Sequence, residues 1–305
     1  MTLAIETPPA RTAVNLALLV LLATLWGAAY TLVKIGVETI PPLTFISGRT
    51  LIAGGILLAI MALRGIALPR DPAVWKRFMI QACLNSVVPF TLIAYAETHV
   101  GAGLATILGL NAPIFAFLLA LLFVRHERPT LRQSFGVAAG LAGICLVVGV
   151  DALNGLGQDV LAQLALVLSA VMFGAAALFG RNFNGLDPMV PAAGSMICGA
   201  VMLTPLSLII DRPWTLTPSV TSIAALIALA VFSTALAFVI YFRLIQTLGS
   251  VGTTAQAYLR VPLGVGLGVV VLGETLSPTV WIGLVCVVVG IAAMTIPKRA
   301  VAPIS

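Results

Sequence analysis

Thr253, Gln256, Arg260, Gly264 and Gly268 recur every three or four positions within one apolar stretch, which puts them on one face of a helix. An arginine offers five N–H donors in a rigid fork, keeps its charge, and can hold a carboxylate at two points. Arg260 therefore has two readings, both open at the level of sequence: it meets an anionic ligand in a cavity, or it ties up carbonyls released by Pro262. Aromatic residues supply the complementary surface. Trp26 and Tyr30 lie one helical turn apart, Phe173 stands 147 positions after Trp26, and Phe238 and Tyr258 are further candidates. Such rings hold an apolar body at about 0.5–1.5 kcal/mol per ring pair beyond simple burial. Gln81, Asn85 and Pro89 line up at intervals of four, and Asn111 precedes Pro113 by two. We read the polar members as cavity lining and Pro89, Pro113 and Pro262 as kinks. Tyr95, Tyr241, Trp75, Trp214 and Trp281 fall near the ends of apolar runs and read as an interfacial belt. Arg49 enters its run so early that its stem is expected to snorkel toward the interface.

Other chemistries find no support. Acid/base or nucleophilic catalysis needs clustered carboxylates, histidines or activated nucleophiles. The chain has two histidines, His99 and His126, and Glu97 with His99 is the one suggestive pair. No Asp or Glu is expected deep within an apolar run. Cys83, Cys145, Cys198 and Cys286 sit inside apolar runs without metal-type spacing and read as packing residues. The run Gly264-Val265-Gly266-Leu267-Gly268 lacks the strand-to-helix context of a nucleotide site. No enzyme, metal or cofactor is expected. The net charge of +6 comes from scattered residues, so nucleic acid is not an expected partner.

The elements that carry these residues follow from composition. With 60% hydrophobic residues, 9% charged and a mean hydropathy of +1.14, the chain suits a bilayer rather than water. Ten apolar runs qualify as membrane helices, at about 16–33, 43–63, 78–96, 100–124, 134–150, 160–180, 189–210, 220–242, 251–273 and 279–296. The expected class is therefore all-α integral membrane. The chain also repeats itself. Residues 110–149 and 259–290 each hold a proline-broken run, a joint with a glutamate (Glu127, Glu274) and a glycine-studded run. At an offset of 147, Trp26-Gly27-Ala28-Ala29 matches Phe173-Gly174-Ala175-Ala176, and Lys34 matches Arg181, whereas Pro113 and Pro262 stand 149 apart. The expected organisation is two repeats, residues 1–150 and 151–305, of five helices each. Five is odd, so the second repeat must be inverted. Twelve Lys and Arg residues fall on the N-terminal side of the membrane and two on the other, which predicts cytoplasmic termini with no cleaved signal. Gly136 and Gly140 form a GxxxG pair suited to tight packing, with a homodimer seam as one option beside a monomer.

The Trp26-Gly27 element, the mid-helix prolines and the joint from Gly273-Glu274 to Pro278 resemble the ten-helix drug/metabolite transporter superfamily with EamA-type repeats. The first-half joint departs from that pattern, with His126 before Glu127. The resemblance implies transport of small metabolites, often amino-acid export, through a cavity between the halves. Within the superfamily the chain is most similar to bacterial inner-membrane exporters of aromatic and neutral amino acids. A deep cation favours a carboxylate substrate, and the absence of a midplane carboxylate favours uniport or exchange, with His99 as the candidate for proton coupling. The alternatives are export of other organic solutes such as lipophilic drugs, or sugar-phosphate and nucleotide-sugar exchange, for which a second deep cation is expected.

Overall fold

The computed structural model describes residues 9–109, 111–123, 131–153, 158–241, 243–244, 247 and 256–295. Among these, all regular structure is helical: α1 (Pro9–Gly36), α2 (Pro42–Leu63), α3 (Pro72–Glu97), α4 (Ala102–Leu122), α5 (Leu131–Leu153), α6 (Gln158–Phe179), α7 (Met189–Asp211), α8 (Val220–Tyr241), α9 (Gln256–Leu272) and α10 (Pro278–Thr295). Seven of them, α1 to α4 and α6 to α8, are long and apolar enough to cross a bilayer, and the apolar stretches of α5, α9 and α10 are shorter.

Helix starts follow local chemistry. Asp71 accepts a hydrogen bond from the Ala73 N–H at 2.8 Å with Pro72 in the first turn, so α3 begins six residues ahead of its apolar run. Ser219 caps α8 through the Ser222 N–H at 3.1 Å. Two helices widen into π-turns part-way along, Cys83–Val87 in α3 and Val231–Leu236 in α8, and Ser207–Asp211 closes α7 the same way. In α3 the cause is Pro89, which has no N–H for the Asn85 carbonyl and crowds it. α8 has no proline there. Instead the Thr234 hydroxyl donates to the Leu229 carbonyl five residues back, at 2.9 Å.

One end of the bundle, where α1 finishes at Gly36, is sealed by polar contacts between distant segments. The Lys34 ammonium donates to the Glu97 and Val100 carbonyls at 2.6 and 2.8 Å, stopping the end of α3. The Glu274 carboxylate accepts from the Ala102 and Gly103 N–H groups at 2.6 and 2.8 Å, so the joint after α9 caps α4. Asp211 accepts from the backbone and hydroxyl of Thr44, both at 2.8 Å, and so caps α2 from the end of α7.

The helices pack reciprocally: α1 against α8 and α9, α6 against α3 and α4, α2 against α7, and α5 against α10. Glycine permits the closest approaches. A Cβ on Gly27 would lie 3.0 Å from the Gly264 nitrogen and 3.1 Å from the Arg260 carbonyl. In the α5–α10 seam a Cβ on Gly143 would lie 2.8 Å from the Gly283 carbonyl, and one on Gly290 2.6 Å from that of Gly136. The glycine pair Gly136 and Gly140 thus meets α10 of its own chain. Large apolar side chains such as Leu122, Val201 and Val270 point outward, as a hydrocarbon surround requires.

Candidate functional site

The polar and aromatic residues of α1, α2, α3, α8 and α9 converge near the middle of the bundle. Trp26 sits edge-on to Phe238 at 6.2 Å between centroids and tilted against Tyr241 at 5.4 Å. The Arg260 guanidinium carbon lies 5.3 Å from the centre of the Trp26 ring. One turn along α1, the Tyr30 side chain is buried against Gly109, and its hydroxyl has no hydrogen-bond partner among the described residues.

Arg49 comes in from the opposite wall. Its guanidinium carbon lies 3.6 Å from the centroid of Phe90, which meets Phe173 edge-on at 5.4 Å. Its Nε donates to the Thr234 hydroxyl at 3.0 Å, so the π-turn of α8 supplies its acceptor. With 5% of its surface exposed, Arg49 does not snorkel. The expectation fails because Asp211 and Ser207 cover Thr44 at the start of α2, while Phe90 and Thr234 offer contacts inside. Arg49 and Arg260 lie within electrostatic reach of one another and of Tyr30. Two positive groups and an aromatic wall therefore share one region.

The remaining sequence candidates divide. Arg260 makes no side-chain hydrogen bond among the described residues, its Nε is buried without a partner, and α9 runs unbroken through Pro262, which is exposed. The tie to carbonyls at a Pro262 kink is therefore not formed. Gln256 is buried, and its carbonyl oxygen lacks a partner among the described residues. The Asn111 amide donates to the Ile107 and Leu108 carbonyls at 2.6 and 3.1 Å, bridging the break in α4 ahead of Pro113, and its own oxygen has no partner among the described residues. Gln81 donates to the Ala176 carbonyl at 3.3 Å and links α3 to α6. Asn85 lies half-buried within the α3 π-turn, followed by buried Pro89. Thr253, His126, Glu127 and the Tyr258 side chain lie outside the described residues. Tyr241, expected in the interfacial belt, instead packs on Trp26. Glu97, at the end of α3, is fully buried, while His99 turns to Thr98 and Tyr95 rather than to Glu97.

The sequence profile of the EamA-like transporter family matches the chain twice, over residues 14–149 and 160–296. The chain belongs to the EamA-like transporter family. As an EamA-type protein it is a membrane transporter and not an enzyme. It is 28% identical over 274 residues to the uncharacterized inner membrane transporter YedA of Escherichia coli K12, covering 90% of this chain and 88% of YedA. It is 29% identical over 269 residues to a probable terminal-alkyne amino-acid exporter of Streptantibioticus cattleyicolor, covering 87% and 88% of the two chains. A solved crystal structure shares the fold at a TM-score of 0.64 and 19% identity, covering 95% of this EamA chain and 98% of that one.

Proposed function

We propose that this transporter exports neutral and aromatic amino acids across the bacterial inner membrane, with the carboxylate held at Arg260 and the side chain against Trp26, Tyr30 and Phe238. The observation that carries the reading is Arg260 itself. An arginine at the centre of a membrane helix costs about 2.5–3.5 kcal/mol on the insertion scale, and Arg260 stands in an apolar helix beside an aromatic wall with no side-chain hydrogen bond among the described residues. Its free donors suit a carboxylate, and charge-assisted bonds strengthen where water is excluded. The similarity to an amino-acid exporter points the same way.

The mechanism is alternating access between two inverted five-helix repeats, residues 1–150 and 151–305, by uniport or exchange. The reciprocal packing of α1 on α8 and α9 and of α6 on α3 and α4 supports this arrangement, as does the twofold match of one family profile. Both termini are cytoplasmic in this reading, so the sealed Gly36 end faces outside.

Arg49 gives a second reading its footing. A doubly charged phosphate would recruit two cations, and Arg49 supplies the second. We favour the carboxylate because Phe90 and Thr234 already engage Arg49. Counterflow in proteoliposomes of the purified protein tests both. Exchange of labelled phenylalanine, inhibited by other neutral amino acids, supports the first; exchange of a sugar phosphate without amino-acid exchange replaces it with the second.

A further inference from the structure

We propose that Glu97 is a proton-binding site whose occupancy holds the Gly36 end of the bundle shut. The proposal rests on the transporter reading for its meaning, but its geometry is separate from the central site. Glu97 is 0% exposed, and neither carboxylate oxygen has a hydrogen-bond partner among the described residues. The Lys34 ammonium beside it donates instead to the backbone carbonyls of Glu97 and Val100. An ionised carboxylate without partners is a poor occupant of such a place, and a neutral acid is a far better one.

The charged surroundings agree. From α1 and the turn after it come Lys34, Tyr30 and Glu38; from the joint after α9 comes Glu274, whose negative charge bears on Glu97. From α2, Arg49 stands seven residues down α3 at Phe90. From α6, Asp159 is exposed at the start of the helix, and on α3's own end His99 turns to Tyr95 and Thr98. The Glu274 carboxylate holds the α4 N-terminus, so a second negative charge at Glu97 would oppose the cap that closes this end. A cavity of about 260 Å³ lined by Lys34, Val37, Glu38, Glu97 and Thr98 lies beside this residue, so a small opening of this end would bring water to the buried carboxyl. A metal cation would need the neighbouring carbonyls as ligands, and Lys34 already occupies both.

The step is a simple protonation. A hydronium ion at the Gly36 end gives its proton to a Glu97 oxygen and leaves as water, forming the O–H bond as the end closes. On opening, the proton returns to water, and Lys34, released from the two carbonyls, pairs with the carboxylate. Flux through the transporter then depends on pH at this end.

The test needs no substrate. A cysteine-free background with Thr106→Cys places a thiol one turn beneath the Glu274 cap, where Thr106 is buried. Its labelling rate with a permanently charged thiol reagent is measured in detergent from pH 5 to pH 9, with Glu97 intact and as Glu97→Gln. The ratio of the two rates cancels the ionisation of the thiol. We expect it to rise at least tenfold across the range, with Glu97→Gln the slower, and Glu97→Asp to keep the rise. A flat ratio overturns the proposal. If Glu97→Gln does not fold, the Glu97→Asp protein is compared with the parent for a carboxylic acid C=O infrared band that shifts between them, and the absence of such a band at pH 5 overturns it equally. Phenylalanine counterflow runs in parallel: exchange with a flat ratio removes only the proton site, and a rising ratio without exchange removes only the amino-acid reading.

Discussion

Replacing Glu274 by glutamine should loosen the Gly36 end by an amount that the structure lets one work out. The wild-type carboxylate accepts two backbone N–H bonds at 2.6 and 2.8 Å from the first residues of α4. Bonds to a charged group contribute about 1.5–3 kcal/mol each, and a neutral one about 0.5–1.5 kcal/mol. Glutamine keeps one acceptor of the second kind, leaves one N–H unmet, and loses the attraction of a negative charge to a helix N-terminus, about 0.3–1 kcal/mol. The closed arrangement should therefore weaken by about 2–6 kcal/mol, and the lower figure already multiplies the open fraction by roughly 30 while the open state remains the minority. The Thr106→Cys thiol reports this directly. In detergent both ends meet solvent, so orientation in a membrane does not matter, and the labelling rate at fixed pH should rise at least about 30-fold in Glu274→Gln. An unchanged rate in folded protein would refute the argument, because the two bonds would then be present in the open state as well.

Arg260→Leu should insert at least as well as wild type yet bind carboxylate substrates at least about tenfold more weakly, with Arg260→Lys recovering part of the loss; unchanged affinity in counterflow titrations removes Arg260 from the site. Trp26→Ala should weaken phenylalanine and tryptophan about two- to tenfold more than alanine in the same assay, since ring contact is what goes, and equal losses would assign Trp26 to folding. Gly143→Val should lower the melting temperature in detergent, because its Cβ meets the Gly283 carbonyl at 2.8 Å and overpacking costs about 1–3 kcal/mol. A reporter after Ser305 should be cytoplasmic while cysteines placed at Asn154 and Pro278 react from outside; reporters on one side would end the inverted-repeat reading.

Much of this molecule can be read from residue types, and the failures share a cause. Apolar runs delimit the helices because a continuous apolar run of about 20 residues can satisfy its backbone in a bilayer only as a helix, and Trp26, Tyr30, Phe238 and Arg260 announce themselves as large or charged groups in such runs. Arg49 departs from its sequence reading because distance from a helix start is not depth. The polar spacing of Thr44, Ser47 and Thr50 on α2 was the available signal that this helix faces other helices, where Ser207, Thr204 and Asp211 meet it. Glu97 looked like a residue of the mouth because it ends its run, and only the fold of Lys34 over the carbonyls closes it in. The π-turn of α8 has no breaker in its sequence. Thr234 is its one trace, and a threonine inside a helix is too common to read that way.

The α5–α10 seam carries a consequence for how this chain can vary. What a new methyl on Gly143 or Gly290 would strike first is main chain, the carbonyl of Gly283 or Gly136. Where two side chains clash, one can shrink as the other grows, and homologous sequences record the exchange as paired substitutions. Here neither partner has an atom to give up, so each glycine is held in place on its own account. Covariation across an alignment should fall silent along the seam's glycine contacts, and distances inferred from such couplings should miss some of the closest helix approaches in the molecule.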